Sequence, residues 1–131
     1  MAKAKKHTGP QEQLSVTWCD DGMPADLVAA KGELKTAVYK LKVTGEDGRA
    51  AKAADFSFSR VRQKALITYE HERMEPLTAG VVKITFTYRT DRIYAEEDDV
   101  KVRVRISADG YRDGISPPAA YKERVLDAPN P

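Results

Sequence analysis

Val100-Lys101-Val102-Arg103-Val104-Arg105-Ile106-Ser107 alternates an apolar residue with a polar one at every step. That two-residue period marks a strand with one buried face and one wet face, and no helical period fits it. Val100, Val102, Val104 and Ile106 are expected to point inward, and Lys101, Arg103, Arg105 and Ser107 outward. The acidic run Glu96-Glu97-Asp98-Asp99 introduces the strand.

The same period recurs on both sides of this stretch. Upstream, after Pro76 and Gly80, Val82, Ile84, Phe86 and Tyr88 alternate with Lys83, Thr85, Thr87 and Arg89. Ala37, Tyr39, Leu41 and Val43 alternate with Val38, Lys40, Lys42 and Thr44, and Gly45-Glu46-Asp47-Gly48 supplies the turn formers that stop that strand. Leu14, Val16 and Trp18 line a first strand that ends at Cys19-Asp20-Asp21-Gly22-Met23-Pro24, and residues 24–31 are expected to hold one short helical turn. Phe56 and Phe58 mark a third strand, whose pattern slips near Arg60 and Val61 and so predicts a bulge there. Ala65, Ile67 and Tyr69 make a fourth. Downstream, Asp109-Gly110 and Asp113-Gly114 read as turns, Pro117-Pro118 blocks ladder donation, and Tyr121 to Leu126 reads as a last strand.

Short strands joined by such turns predict an all-β fold, an immunoglobulin-like β-sandwich of about seven antiparallel strands. Trp18, Tyr39, Leu41, Phe56, Phe58, Ile84, Phe86, Val102 and Val104 are its expected core. The chain has 131 residues, enough for one sizeable core and not two. A single domain is expected over residues 14–127, with a flexible basic arm at 1–13 and a tail at 128–131.

Val43-Thr44-Gly45-Glu46-Asp47-Gly48-Arg49, followed by Ala54-Asp55-Phe56-Ser57-Phe58, resembles a bacterial immunoglobulin-like repeat of the invasin and intimin type. Val104-Arg105-Ile106-Ser107-Ala108-Asp109-Gly110-Tyr111 resembles the strand and turn that close such domains, so the likeness spans roughly residues 34–114. Arg49-Ala50-Ala51-Lys52 departs from the small residues and prolines usual after the family's turn, and no tandem repeat is present. Such domains serve in adhesins, as spacers in cell-surface enzymes and as decorations on phage capsids and tails. The resemblance therefore implies an interaction role.

Charge and composition narrow the partners. With 41% hydrophobic and 32% charged residues the chain is too apolar for disorder and too interrupted by charge for a membrane span, so no transmembrane segment is expected. The net charge is +2, which Lys3, Lys5 and Lys6 against Glu12 account for, leaving a near-neutral body. A neutral body argues against a specific nucleic-acid-binding domain, which needs a clustered cationic footprint. Cys19 is the only cysteine, so no intrachain disulfide forms and the Cys-rich zinc frameworks are excluded.

No catalytic, cofactor-binding or metal-binding residues are assigned. His71 lies in Glu70-His71-Glu72-Arg73, read as a charged connection, without a nucleophile motif beside it. No phosphate-cradling glycine pattern occurs, and no cofactor is expected. The acidic pairs Asp20-Asp21 and Glu46-Asp47, the run Glu96 to Asp99, and Asp109 with Asp113 lack calcium-loop spacing and read as solvated loops or charge gatekeepers. Lys40, Lys42, Lys83, Arg89, Lys101, Arg103 and Arg105 are expected on two opposite outer faces.

The expectation is a non-catalytic structural or interaction protein, a phage virion component such as a capsid decoration or tail accessory subunit, that binds other virion subunits or a host surface. Lys3, Lys5, Lys6 and His7 are the candidate partner-binding residues. Met1 to Gln13 lacks the apolar core of a secretory signal, which favours a virion location over an extracellular, cell-surface or cytoplasmic one. Homo-oligomerisation through sheet edges is a further candidate. The alternative is a carbohydrate-binding or accessory module of a surface adhesin or enzyme, with Tyr88, Tyr94, Tyr111 or Tyr121 as an exposed stacking surface for a glycan.

Overall fold

The computed structural model describes residues 11–128. The fold is all-β: β1 Glu12–Gln13, β2 Ser15–Trp18, β3 Leu27–Ala29, β4 Lys35–Thr44, β5 Asp55–Val61, β6 Thr68–Pro76, β7 Val81–Arg89, β8 Glu96–Ser107, β9 Tyr111–Arg112, β10 Gly114–Ile115 and β11 Ala119–Val125. One antiparallel sheet has the order β2-β4-β7-β6. In the other, β8 has β5 on one side and β10 and β11 along the other, and β3 adds to β11 in parallel.

The chain reaches both sheets with its first strands. β2 pairs with β4, and the segment then crosses to place β3 beside β11. A 3-10 turn at Asp20–Gly22 makes the crossing, where Gly22 packs so closely on the backbone of Lys40 that a Cβ would overlap it. Residues 24–31 are expected to form a helical turn, but Leu27–Ala29 are extended, because the exposed partner edge of β11 takes up their backbone groups. Glu12–Gln13 pair with Tyr111–Arg112, so the boundary expected at residue 13 falls earlier.

Alternation fills the space between the sheets. Tyr39, Leu41 and Val43 of β4 and Val82, Ile84 and Phe86 of β7 face Val100, Val102, Val104 and Ile106 of β8, all essentially without exposure. Each such side chain contributes about 1.5–3 kcal/mol on burial. Tyr39 joins the sheets: its ring lies edge-on to Phe86 at 5.0 Å and to Phe58 of β5 at 5.9 Å. Trp18, Phe56 and Phe58, expected in the core, pack against it half-buried at the sheet margins. Trp18 Nε1 donates to the Pro117 carbonyl at 2.8 Å, tying the end of β2 to the other sheet.

Three local expectations are corrected. β5 runs through Arg60 and Val61 in unbroken register with β8, and the bulge falls in β6, where His71 and Glu72 intervene between the pairs Glu70↔Thr87 and Arg73↔Thr85. His71, at φ +52°, is thus inside a strand rather than in a connection. Ala65, expected inward on a fourth strand, is exposed at φ +53°, and that strand begins only at Thr68.

Candidate interaction surface

The alternation that sends Val100, Val102 and Val104 inward sends Lys101, Arg103 and Arg105 to the solvent side of β8. Their neighbours across the sheet are short. Arg103 pairs with Ser59, Arg105 with Ser57 and Ile115, and Lys101 with Val61 and Ala120. Strands lie about 4.8 Å apart, so the long cationic side chains stand above a floor of small residues. A shallow groove of about 480 Å³ runs along this face past Val61, Gln63, Lys101, Ala120 and Lys122. Val61 and Ile115 add exposed apolar surface, at 67% and 49% exposure.

Ion pairs form the margin of this face. Lys122 meets Asp99 at 2.8 Å, Arg124 meets Glu97 at 3.3 Å and Asp26 at 3.7 Å, and Arg105 meets Asp113 at 3.4 Å. The Lys122 hydrogen bond and charge hold the Asp99 carboxyl below its ordinary range. Among the described residues neither Lys101 nor Arg103 has an ion-pair partner. On the opposite outer face Lys40 pairs with Asp21 at 3.2 Å, Lys83 with Glu75 at 3.6 Å, and Arg89 with Glu70 at 2.6 Å and Asp91 at 2.8 Å, while Lys42 on β4 and Arg73 on β6 have no ion-pair partner among the described residues and are separated by β7.

A second polar group, missed in the sequence, lies between the two sheets near the start of β8. Glu123 is fully buried, with Oε2 accepting from the Tyr121 hydroxyl at 3.3 Å and Oε1 3.7 Å from Arg62 Nη1. The Tyr121 and Tyr69 hydroxyls lie 2.8 Å apart. Arg60 stacks over Tyr69 at 3.5 Å and over Phe58 at 4.1 Å, and its Nη1 donates to Glu72 at 3.3 Å. Burial pushes the Glu123 carboxyl up, against the pull of Arg62 and Arg60. Period-two counting from Tyr121 would have found Glu123 on the inward face.

The remaining candidates disperse. Lys3, Lys5, Lys6 and His7 lie outside the described residues. Asp98 Oδ2 accepts the backbone N–H groups of Gln63 at 3.2 Å and Lys64 at 2.9 Å, Glu46 accepts that of Gln13, and Asp47 that of Arg49. Among the described residues no three His, Cys, Asp or Glu side chains are grouped to hold a metal. His71 is exposed, with Glu70 at 3.8 Å. Of the tyrosines expected to stack on a glycan, Tyr88 and Tyr121 are buried in the core, Tyr94 is 70% exposed before the twelve-residue β8, and Tyr111 is half-buried after it. Among the described residues no helix is long and apolar enough to cross a membrane.

No family model matches this chain, and no curated protein matches it. Among solved structures it is similar to the ZirS C-terminal domain, with a TM-score of 0.44 at 12% identity over 92% of this chain and 72% of that one. It is also similar to the cysteine protease inhibitor EhICP2 from Entamoeba histolytica, with a TM-score of 0.40 at 10% identity over 85% of this chain and 93% of that one. Likeness at this level carries no functional assignment.

Proposed function

We propose that this chain is an immunoglobulin-like β-sandwich, of the bacterial invasin and intimin type, that acts as a non-catalytic interaction module. Its partner is a carboxylate-rich protein surface, held on the outer face of β5, β8 and β11. The observation that carries this reading is the pair Lys101 and Arg103, two residues apart on β8 and without ion-pair partners among the described residues, beside exposed Val61 and the groove past Lys101 and Ala120, whereas Lys42 and Arg73, the unpaired cations of the opposite face, stand on strands separated by β7. Exposed charges of this kind set partner choice and association rate more than raw affinity. The strand division supports the fold half of the proposal: β2, β4, β7 and β6 occupy the places of one immunoglobulin sheet, and β5, β8 and β11 those of the other.

Poly-L-glutamate serves as the probe. Salt-sensitive binding is expected, weakened at least about tenfold by Lys101→Ala with Arg103→Ala and unchanged by Lys40→Ala with Lys83→Ala. Equal losses in the two double variants, or no binding, would overturn the reading. The virion role, as capsid decoration or tail accessory subunit, is the specific form of this proposal. Copurification of the tagged chain with capsid or tail subunits encoded beside its gene supports it, and copurification with a surface adhesin replaces it.

A further inference from the structure

Of the edge strands of the two large sheets, all but one are blunted, the two-residue β10 among them. β2 and β3 are four and three residues long, and β6 is interrupted by its bulge. Short or kinked edges resist the addition of another strand. β5 differs: Asp55–Val61 is seven residues, holds unbroken register with β8 and contains neither proline nor glycine.

The outward-facing backbone groups of β5 follow from the bonding of β8. Val104 N–H donates to Ser116 Oγ at 2.9 Å, and the Val104 carbonyl accepts the Ser116 N–H at 2.8 Å. Alternation therefore turns the backbone groups of Arg103 and Arg105 toward Ser59 and Ser57 of β5. Phe58 and Arg60 are left with N–H and C=O groups aimed away from the sheet. In keeping with this, the Phe56 N–H is met by Asp55 Oδ1 at 2.8 Å.

We propose that a second copy of this chain pairs with this edge, β5 antiparallel to β5, so that two sheets continue as one. Full overlap of the seven residues sets Phe58 opposite Phe58 of the second copy, Ser57 opposite Ser59, and Asp55 opposite Val61. The serines leave room on the outer face for the strands to approach. Charge complementarity favours a second copy over another strand. Among the described residues Asp55 has no ion-pair partner, and neither does Lys101, which neighbours Val61 on β8. In the joined sheet Asp55 of each copy lies two strand spacings, about 10 Å, from Lys101 of the other, within reach of the two side chains. Arg103 lies three spacings, about 14 Å, from Arg105 of the second copy, beyond the screening length at physiological salt.

Sedimentation velocity of the full chain up to about 500 µM tests the proposal, because a seven-residue contact is smaller than a standard interface. A monomer–dimer equilibrium without larger species is expected, since two-fold pairing uses up the edge. Ser57→Asp with Ser59→Asp sets like charges opposite each other and is expected to weaken the dimer at least about tenfold, as is the corresponding pair of Lys substitutions. An equimolar mixture of the two variants is expected to dimerise again. Where a variant does not fold, Ser57→Cys with Ser59→Cys in a Cys19→Ser background replaces it. Positions 57 and 59 face each other as a non-hydrogen-bonded pair about 4.5 Å apart, so oxidation yields a covalent dimer. A monomer at every concentration, a dimer indifferent to the charge variants, or no crosslink would overturn the proposal. Neither experiment contains an anionic partner, so failure here leaves the proposed binding face standing.

Discussion

The sheet β2-β4-β7-β6 carries Lys40, Lys83 and Arg89 on its outer face, each within ion-pair distance of a carboxylate, and its cations without such a partner, Lys42 and Arg73, stand on strands separated by β7. The sheet built on β8 carries Lys101 and Arg103 two residues apart on one strand, and neither has an ion-pair partner among the described residues. Their edges differ in the same sense, β6 bulged and rich in charge, β5 regular and lined by serine. One sheet disperses its unpaired cations behind a bulged edge, while the other sets two side by side next to a regular edge. The difference teaches that strand alternation decides which side a cation takes, whereas its availability depends on carboxylates delivered by other elements.

Substitutions can break or sharpen this contrast. The largest effect is expected from Phe86→Ala, since that ring packs against Tyr39 at 5.0 Å and Phe58 at 6.0 Å and so binds both sheets to one core. A loss of about 3–5 kcal/mol in denaturant unfolding is expected. A loss below about 1 kcal/mol would mean that the sheets do not share that core.

Glu123→Gln is expected to act more gently and with a pH dependence. Burial raises the folded pKa of Glu123 above its unfolded value, so the folded state binds the proton more tightly. The resulting stability is full below the unfolded pKa and lost as pH rises through the folded one. The Gln variant is therefore expected to melt above the parent at neutral pH, with the gap closing as acid protonates Glu123. A parent that melts higher at neutral pH would show that the Arg62 and Arg60 attractions outweigh burial. Smallest of all, Lys83→Ala removes only the half-exposed pair with Glu75 and is expected to change stability by less than about 0.5 kcal/mol. Lys101→Ala loses no ion pair, and a thermal melt at low salt is expected to show no loss.

Much of the fold was legible because it rests on one period. β4, β7 and β8 lie where their alternation places them. β3 was not legible, because Leu27-Val28-Ala29 is too short to show a period and is extended by its partner β11. The bulge was misplaced because Arg60 looked like a slip in the pattern. It is in fact an inward residue, its charge accommodated by aromatic rings and by Glu72. The cations of the candidate face were readable as outward side chains, but their freedom was not. Lys40 and Asp21 are 19 residues apart, and only the folded chain brings them together.

The central claim is that the two outer faces differ in availability, and an NMR titration of the labelled full chain with poly-L-glutamate tests it most directly. The account predicts salt-sensitive amide shifts concentrated on Ser57 to Val61 and Lys101 to Arg105, with Lys40, Lys83 and Arg89 unmoved. Shifts spread equally over both faces, or centred on the β4 and β7 cations, would contradict it.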